Sequence, residues 1–128
     1  MRPFTLHLPF IVLLACVAGC ESSLRVSSIQ LGRSLNADDT VGSHTTTFAP
    51  GDTVYVSVLT AGTDSGEISV RWMYSGRVQG EPKKQVSGAG ATEFHLQNAG
   101  GFPPGEYSVE VFLDGKSVGT RSFRVEQR

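Results

Sequence analysis

Cysteine is nearly absent: Cys16 and Cys20 are the only two, both close to the N-terminus. Neither can staple the body of the chain, so packing alone must hold it together. Charge is scarce too. Asp, Glu, Lys and Arg make up 18% of the residues, below the usual quarter, which leaves little material for solvated helical faces. Lys and Arg total 11 against 12 Asp and Glu, with no basic stripe, which argues against a nucleic-acid partner. No helical period follows Cys20. His44 and His95 lack ligand spacing such as HxxxH and read as surface residues. Asp38-Asp39 and Asp64-Ser65-Gly66-Glu67 do not alternate as the carboxylates of a calcium loop do, and read as turns. Lys83-Lys84 reads as a solvated loop. With no nucleophile elbow, phosphate loop or Cys–His arrangement, no catalytic residue, metal or cofactor is expected.

What the N-terminus does have is an address. Residues 1–19 show the three parts of a secretory signal: Arg2, an apolar run over 8–17, and a small-residue end. The run is too short for a transmembrane helix, which needs about 20 apolar residues. Val17-Ala18-Gly19-Cys20 resembles the lipobox of bacterial lipoproteins. The resemblance implies cleavage between Gly19 and Cys20, a diacylglyceryl group on the Cys20 thiol and an acylated amine. Glu21, not Asp, follows the cysteine, which in that family leans towards the outer membrane over the inner. Residues 20–27 are then a lipidated cysteine and short tether, and 28–128 form one domain.

That domain reads as strands. Tyr107, Val109, Val111 and Leu113 alternate with Ser108, Glu110 and Phe112, putting one apolar face on a strand. Asp114-Gly115 follows, the dipeptide of a type I′ hairpin turn. In a regular return strand Val118 would face Val111, and Phe123 and Val125 would then point outward. A β-bulge near Gly119-Thr120 restores their phase. Further strands are expected over 24–31 (kinked at Ser27-Ser28), 46–48, 53–60, 67–74, around Gln85-Val86, and over 92–97. Residues 32–45 read as a polar loop and 76–90 as a variable one. Ala49-Pro50-Gly51-Asp52 predicts a type II turn, and the same device recurs at Pro103-Pro104-Gly105-Glu106. About seven short strands separated by Gly/Pro turns specify an all-β chain, an antiparallel β-sandwich.

The segments FAPGDTVYVSV and PGEYSVEVFLDGKSVG, with Trp72 between them, resemble the immunoglobulin-like and fibronectin-III-like modules of bacterial envelope proteins. The resemblance implies that the Trp72 and Tyr107 strands are antiparallel neighbours, and that Tyr107 is a corner tyrosine bonded to nearby backbone. Pairing Trp72 with Val109 also pairs Val70 with Val111, Tyr74 with Tyr107 and, outside, Arg71 with Glu110. Met73 and Phe112 then flank that charged pair. These four are the candidate binding residues, with a partner surface expected if Tyr55, Leu59 or Tyr74 join them. Exposed edge strands offer a second route, by strand addition. The expected function is a lipid-anchored, non-catalytic envelope protein presenting a protein- or polymer-binding surface near the bilayer. A small metal-binding or hydrolytic enzyme using His44, His95 and loop carboxylates, or a structural or inhibitory module, are the alternatives.

Overall fold

The computed structural model describes Pro3 and residues 22–127. The Gly19–Cys20 junction lies outside them. The described residues form nine strands: β1 (Arg25–Gly32), β2 (Thr47–Phe48), β3 (Val54–Ala61), β4 (Ser65–Tyr74), β5 (Arg77–Gly80), β6 (Lys83–Ser87), β7 (Gly90–Leu96), β8 (Gly105–Leu113) and β9 (Lys116–Val125). They make two sheets, β1-β3-β7 and β2-β9-β8-β4-β5, with β6 pairing β4 alongside β5. All pairings are antiparallel except β2 with β9. The chain is an all-β, Ig-like sandwich.

Alternation builds the core. Val54, Val56 and Val58 of β3, Ile68, Val70 and Trp72 of β4, and Val109 and Val111 of β8 are buried in one cluster. Each such side chain contributes about 1.5–3 kcal/mol relative to exposure. The expected β4–β8 register is the observed one: Trp72 opposite Val109, Val70 opposite Val111, Tyr74 opposite Tyr107 and Arg71 opposite Glu110. β1 has the expected irregularity, between Val26 and Ser28. It begins at Arg25, so part of the stretch expected as tether is already strand.

The hairpin turn has φ of 49° at Asp114 and 82° at Gly115, both positive as type I′ demands. The expected bulge exists, but one residue earlier. Phe112 faces Ser117 and Val111 faces Gly119, so Val118 is the extra residue and turns outward. The reason is steric. A Cβ on Gly119 would lie 2.8 Å from Ile29 Cδ1, so the glycine must stay in the ladder where β9 passes β1. Tyr107 thereby faces Phe123, and Phe123 and Val125 are buried.

Three local expectations are corrected. At Ala49-Pro50-Gly51-Asp52 the turn bond is present, Asp52 N to Ala49 O at 3.0 Å, but Gly51 takes no positive φ. It is therefore not type II. The Asp52 carboxylate accepts from Ala49 N at 2.7 Å and holds the turn instead. Gly105 does not repeat the device either: at φ 142° it opens β8, with the Tyr74 ring against it. Second, residues 76–90 supply two strands, not one. Both pair with β4, and the break between them falls at Glu81-Pro82, since proline has no N–H for a ladder.

Third, the loop after β1 is no open polar loop. Gly32 bridges His44, Leu35 bridges Val41, and Val41 is buried. Ser57, out of phase with the three inward valines of β3, is nonetheless fully buried and donates to Asp39 O at 2.7 Å. The loop thus covers part of the outer side of β3. Gly32 is the closest approach: a Cβ there would lie 2.2 Å from both Ser43 O and Val41 Cγ1. Gly32→Ala is expected to cost about 1–3 kcal/mol by overpacking. Urea unfolding measures the loss, and amide exchange should show Arg33 and Gly42 deprotected first. An unchanged midpoint would contradict this packing.

Candidate outer-face site and aromatic corner

The outward residues of β4 and β8 form the only face on which the four candidate residues meet. Arg71 lies 4.0 Å from Glu110, as the register predicted, but its closer partner is Glu81 from the β5–β6 link, bonded to Arg71 Nε. The guanidinium also sits 5.0 Å above the Phe112 ring. Glu110 is further engaged by Ser117 Oγ, which donates to it at 2.6 Å. Phe112 is therefore half-buried under Arg71 and not a free apolar residue. Met73 faces Val78 of β5, which is 52% exposed. The face carries an apolar pair at one end and a capped aromatic at the other. At the Phe112 end a shallow groove is lined by Glu67, Ser69, Arg71, Glu81, Lys83 and Phe112. On this face Arg71 pairs with Glu81 and Glu110. Exposed pairs of this kind contribute only about 0–1 kcal/mol each.

The larger patch does not form. Tyr55 and Leu59 belong to β3, in the other sheet. Tyr74 stacks on Tyr107 at 4.4 Å. Val78, Glu81 and Lys83 were not legible as site residues, because the stretch that bears them has no apolar period.

The β5–β6 edge is a poor template for strand addition. The β5–β6 edge is interrupted by Pro82 and carries Lys83 and Lys84. Lys84 reaches across to β7, donating to Glu93 O and pairing with the Glu93 carboxylate at 3.5 Å. On β1, Leu31 O is taken by Thr45 N, and Arg33 N beyond the strand by Ser43 O. Proline and lysine at an edge both discourage pairing with another chain.

His44 lies in the loop after β1, and His95 sits on β7 beside Glu93 and Tyr55. Among the described residues no three His, Cys, Asp or Glu side chains converge on a metal position. Asp38 accepts from the Thr40 hydroxyl at 2.6 Å and from Thr40 N at 3.1 Å, which holds its carboxyl below the usual range.

Tyr107 fulfils the corner role. Its hydroxyl donates to Pro103 O at 2.7 Å, while Tyr74 donates to Pro104 O at 3.2 Å. Phe102 and Phe123 pack on the Tyr107 ring at 5.8 and 5.3 Å. Burial first, and the neighbouring Tyr74 second, push the Tyr107 phenol up to about 12. The unfolded phenol ionises near pH 10. Below that pH both states hold the proton and the contribution is complete. As pH rises towards the folded value, only the unfolded state ionises, so stability falls and then levels off. Unfolding free energy is expected to drop between about pH 10 and 12, and Tyr107→Phe to remove that component of the drop. An identical alkaline slope in the variant would rule out Tyr107 as the source.

No family model matches the chain, and no curated protein does. Among solved structures it is similar to an immunoglobulin-like protein from Pseudomonas aeruginosa, with a TM-score of 0.60 and 17% identity, over 84% of this chain and 100% of that one. A beta-D-glucoside glucohydrolase from Trichoderma reesei aligns at a TM-score of 0.42 and 12% identity, over 82% of this chain and 19% of that one. The first likeness agrees with the two sheets in showing an immunoglobulin-like fold.

Proposed function

We propose that the chain is a bacterial envelope lipoprotein, anchored through lipid on Cys20, whose immunoglobulin-like domain is a non-catalytic module that presents a protein- or polymer-binding surface close to the bilayer. The observation that carries this reading is Val17-Ala18-Gly19-Cys20 directly after the apolar run of a signal sequence. Glu21 favours the outer membrane. The binding surface is the outer face of β4 and β8, with Arg71, Glu110, Met73 and Phe112 on it and Val78 beside Met73. In support, Arg71 on that face is engaged by Glu81 and Glu110, which suits recognition by shape and polar contact more than proton transfer.

The test is the mass of the mature N-terminus, purified from the organism's own membranes. The expected N-terminal peptide starts at Cys20 and carries diacylglyceryl and acyl groups. An unmodified Cys20 would end the reading. Cross-linked pull-down with wild type and with a Met73→Ser/Phe112→Ser double variant tests the surface, since a partner held there is lost from the variant.

A further inference from the structure

The polypeptide that leads from Cys20 into the domain is docked from Ser22 onward. Ser22 O accepts from Thr63 N at 3.0 Å and from Asp64 N at 2.7 Å, both in the β3–β4 turn. Gly62, at φ 103°, lies so close to the Ser23 carbonyl that a Cβ would come within 2.2 Å of its oxygen. A Cβ on Gly66 would lie 2.9 Å from Leu24 Cδ2 and 3.2 Å from the Asp114 carboxylate. Asp114 in turn ties the β8–β9 turn to β4, donating through its N–H to Glu67 O and accepting from Glu67 N, each at 2.9 Å. Gly88 of the β6–β7 turn donates to Asp64 O at 3.0 Å. The entering chain and three turns therefore form one pole of the sandwich.

We infer that this pole rests against the lipid headgroups and that the opposite pole, built from 49–53 and 98–104, points away from the membrane. The inference rests on the anchor reading above. One residue, Glu21, separates Cys20 from Ser22, so two steps of extended chain place the lipid-bearing residue at most about 7 Å from the docked backbone. A tether that short cannot carry the anchor round to another side of the domain. The far pole is one strand length away, roughly 30 Å for ten-residue strands such as β4. The near pole has the right surface for headgroups: Ser23, Thr63, Asp64, Ala89, Asp114 and Lys116 are exposed there, small or polar and of mixed charge, with no large apolar side chain among them.

The experiment uses the lipidated full-length product in vesicles of phosphatidylethanolamine and phosphatidylglycerol containing a headgroup-linked quencher. With Cys20 blocked by lipid, single cysteines can be introduced for a fluorophore as A89C, K116C and A99C, all at exposed positions. Strong quenching is expected at 89 and 116, and little at 99. Equal quenching at all three, or stronger quenching at 99, overturns the orientation while vesicle flotation upholds the anchor. A protein that carries no lipid by mass and does not float overturns both. A ten-residue Gly-Ser insertion between Glu21 and Ser22 adds roughly 15–20 Å of reach and is expected to abolish the difference between the poles. A difference that survives the insertion would overturn the claim that the short tether sets the orientation.

Discussion

Trp72→Ala is expected to lower the unfolding free energy by about 3–5 kcal/mol. The side chain is 1% exposed on β4, between the β8 pairing on one side and β5 on the other. Its ring meets Phe123 edge-on at 6.1 Å, and Phe123 meets Tyr107 at 5.3 Å and Phe48 at 5.4 Å. Truncation removes one wall of that cluster, and strands on both sides limit how far the cavity can collapse. Against a typical total of about 5–15 kcal/mol, the variant keeps little margin. Trp72→Phe should behave differently. The indole Nε1 is buried with no hydrogen-bond partner among the described residues. An unsatisfied buried donor costs about 1–3 kcal/mol, which phenylalanine does not incur. The relief offsets part of the lost volume, so Trp72→Phe should retain most of the stability. Urea midpoints of the two variants decide the matter, and equal losses would mean that the orphaned N–H carries no penalty.

Under the anchored reading, Cys20→Ser is expected to move the protein from the membrane fraction to the soluble one. Each buried lipid methylene contributes about 0.8 kcal/mol, and one acyl chain alone holds only marginally, so attachment depends on the full modification. The folded domain offers little to replace it. Its exposed large apolar side chains among the described residues are Val78 and Val118, on different strands. Neither begins a contiguous patch that would enter a bilayer. Flotation of native and variant extracts measures the shift. A variant that still floats would place the membrane affinity elsewhere in the chain.

The β4–β8 register was legible because two independent constraints agreed. Both strands alternate, so inward residues had to match inward residues, and among the registers that do so the one joining Trp72 to Val109 also sets Arg71 against Glu110. The bulge was legible from a parity conflict between Val118 and Phe123. Its position was not, because it depends on Ile29 of a strand distant in sequence pressing on Gly119. The loop over β3 was hidden for a similar reason. Leu35 and Val41 are isolated apolar residues in a polar stretch, and only the fold brings Val41 under cover. β5 and β6 escaped detection in part because they are held by backbone pairing to β4 while most of their side chains stay in water. The candidate site was legible in its four central residues, whereas Glu81 and Val78 came from that unpatterned stretch. Their role follows from where Pro82 breaks the outer strand.

The placement of β9 has a consequence for how the molecule is made. Among the described residues it follows all the other strands in sequence, yet it lies inside its sheet, flanked by β2 and β8, and it brings Phe123 into the aromatic cluster. A polypeptide emerging N-terminus first from a ribosome or a translocation pore therefore lacks an interior strand of this sheet until Lys116–Val125 has emerged. Native closure of the larger sheet waits for β9, because β2 and β8 each pair with it.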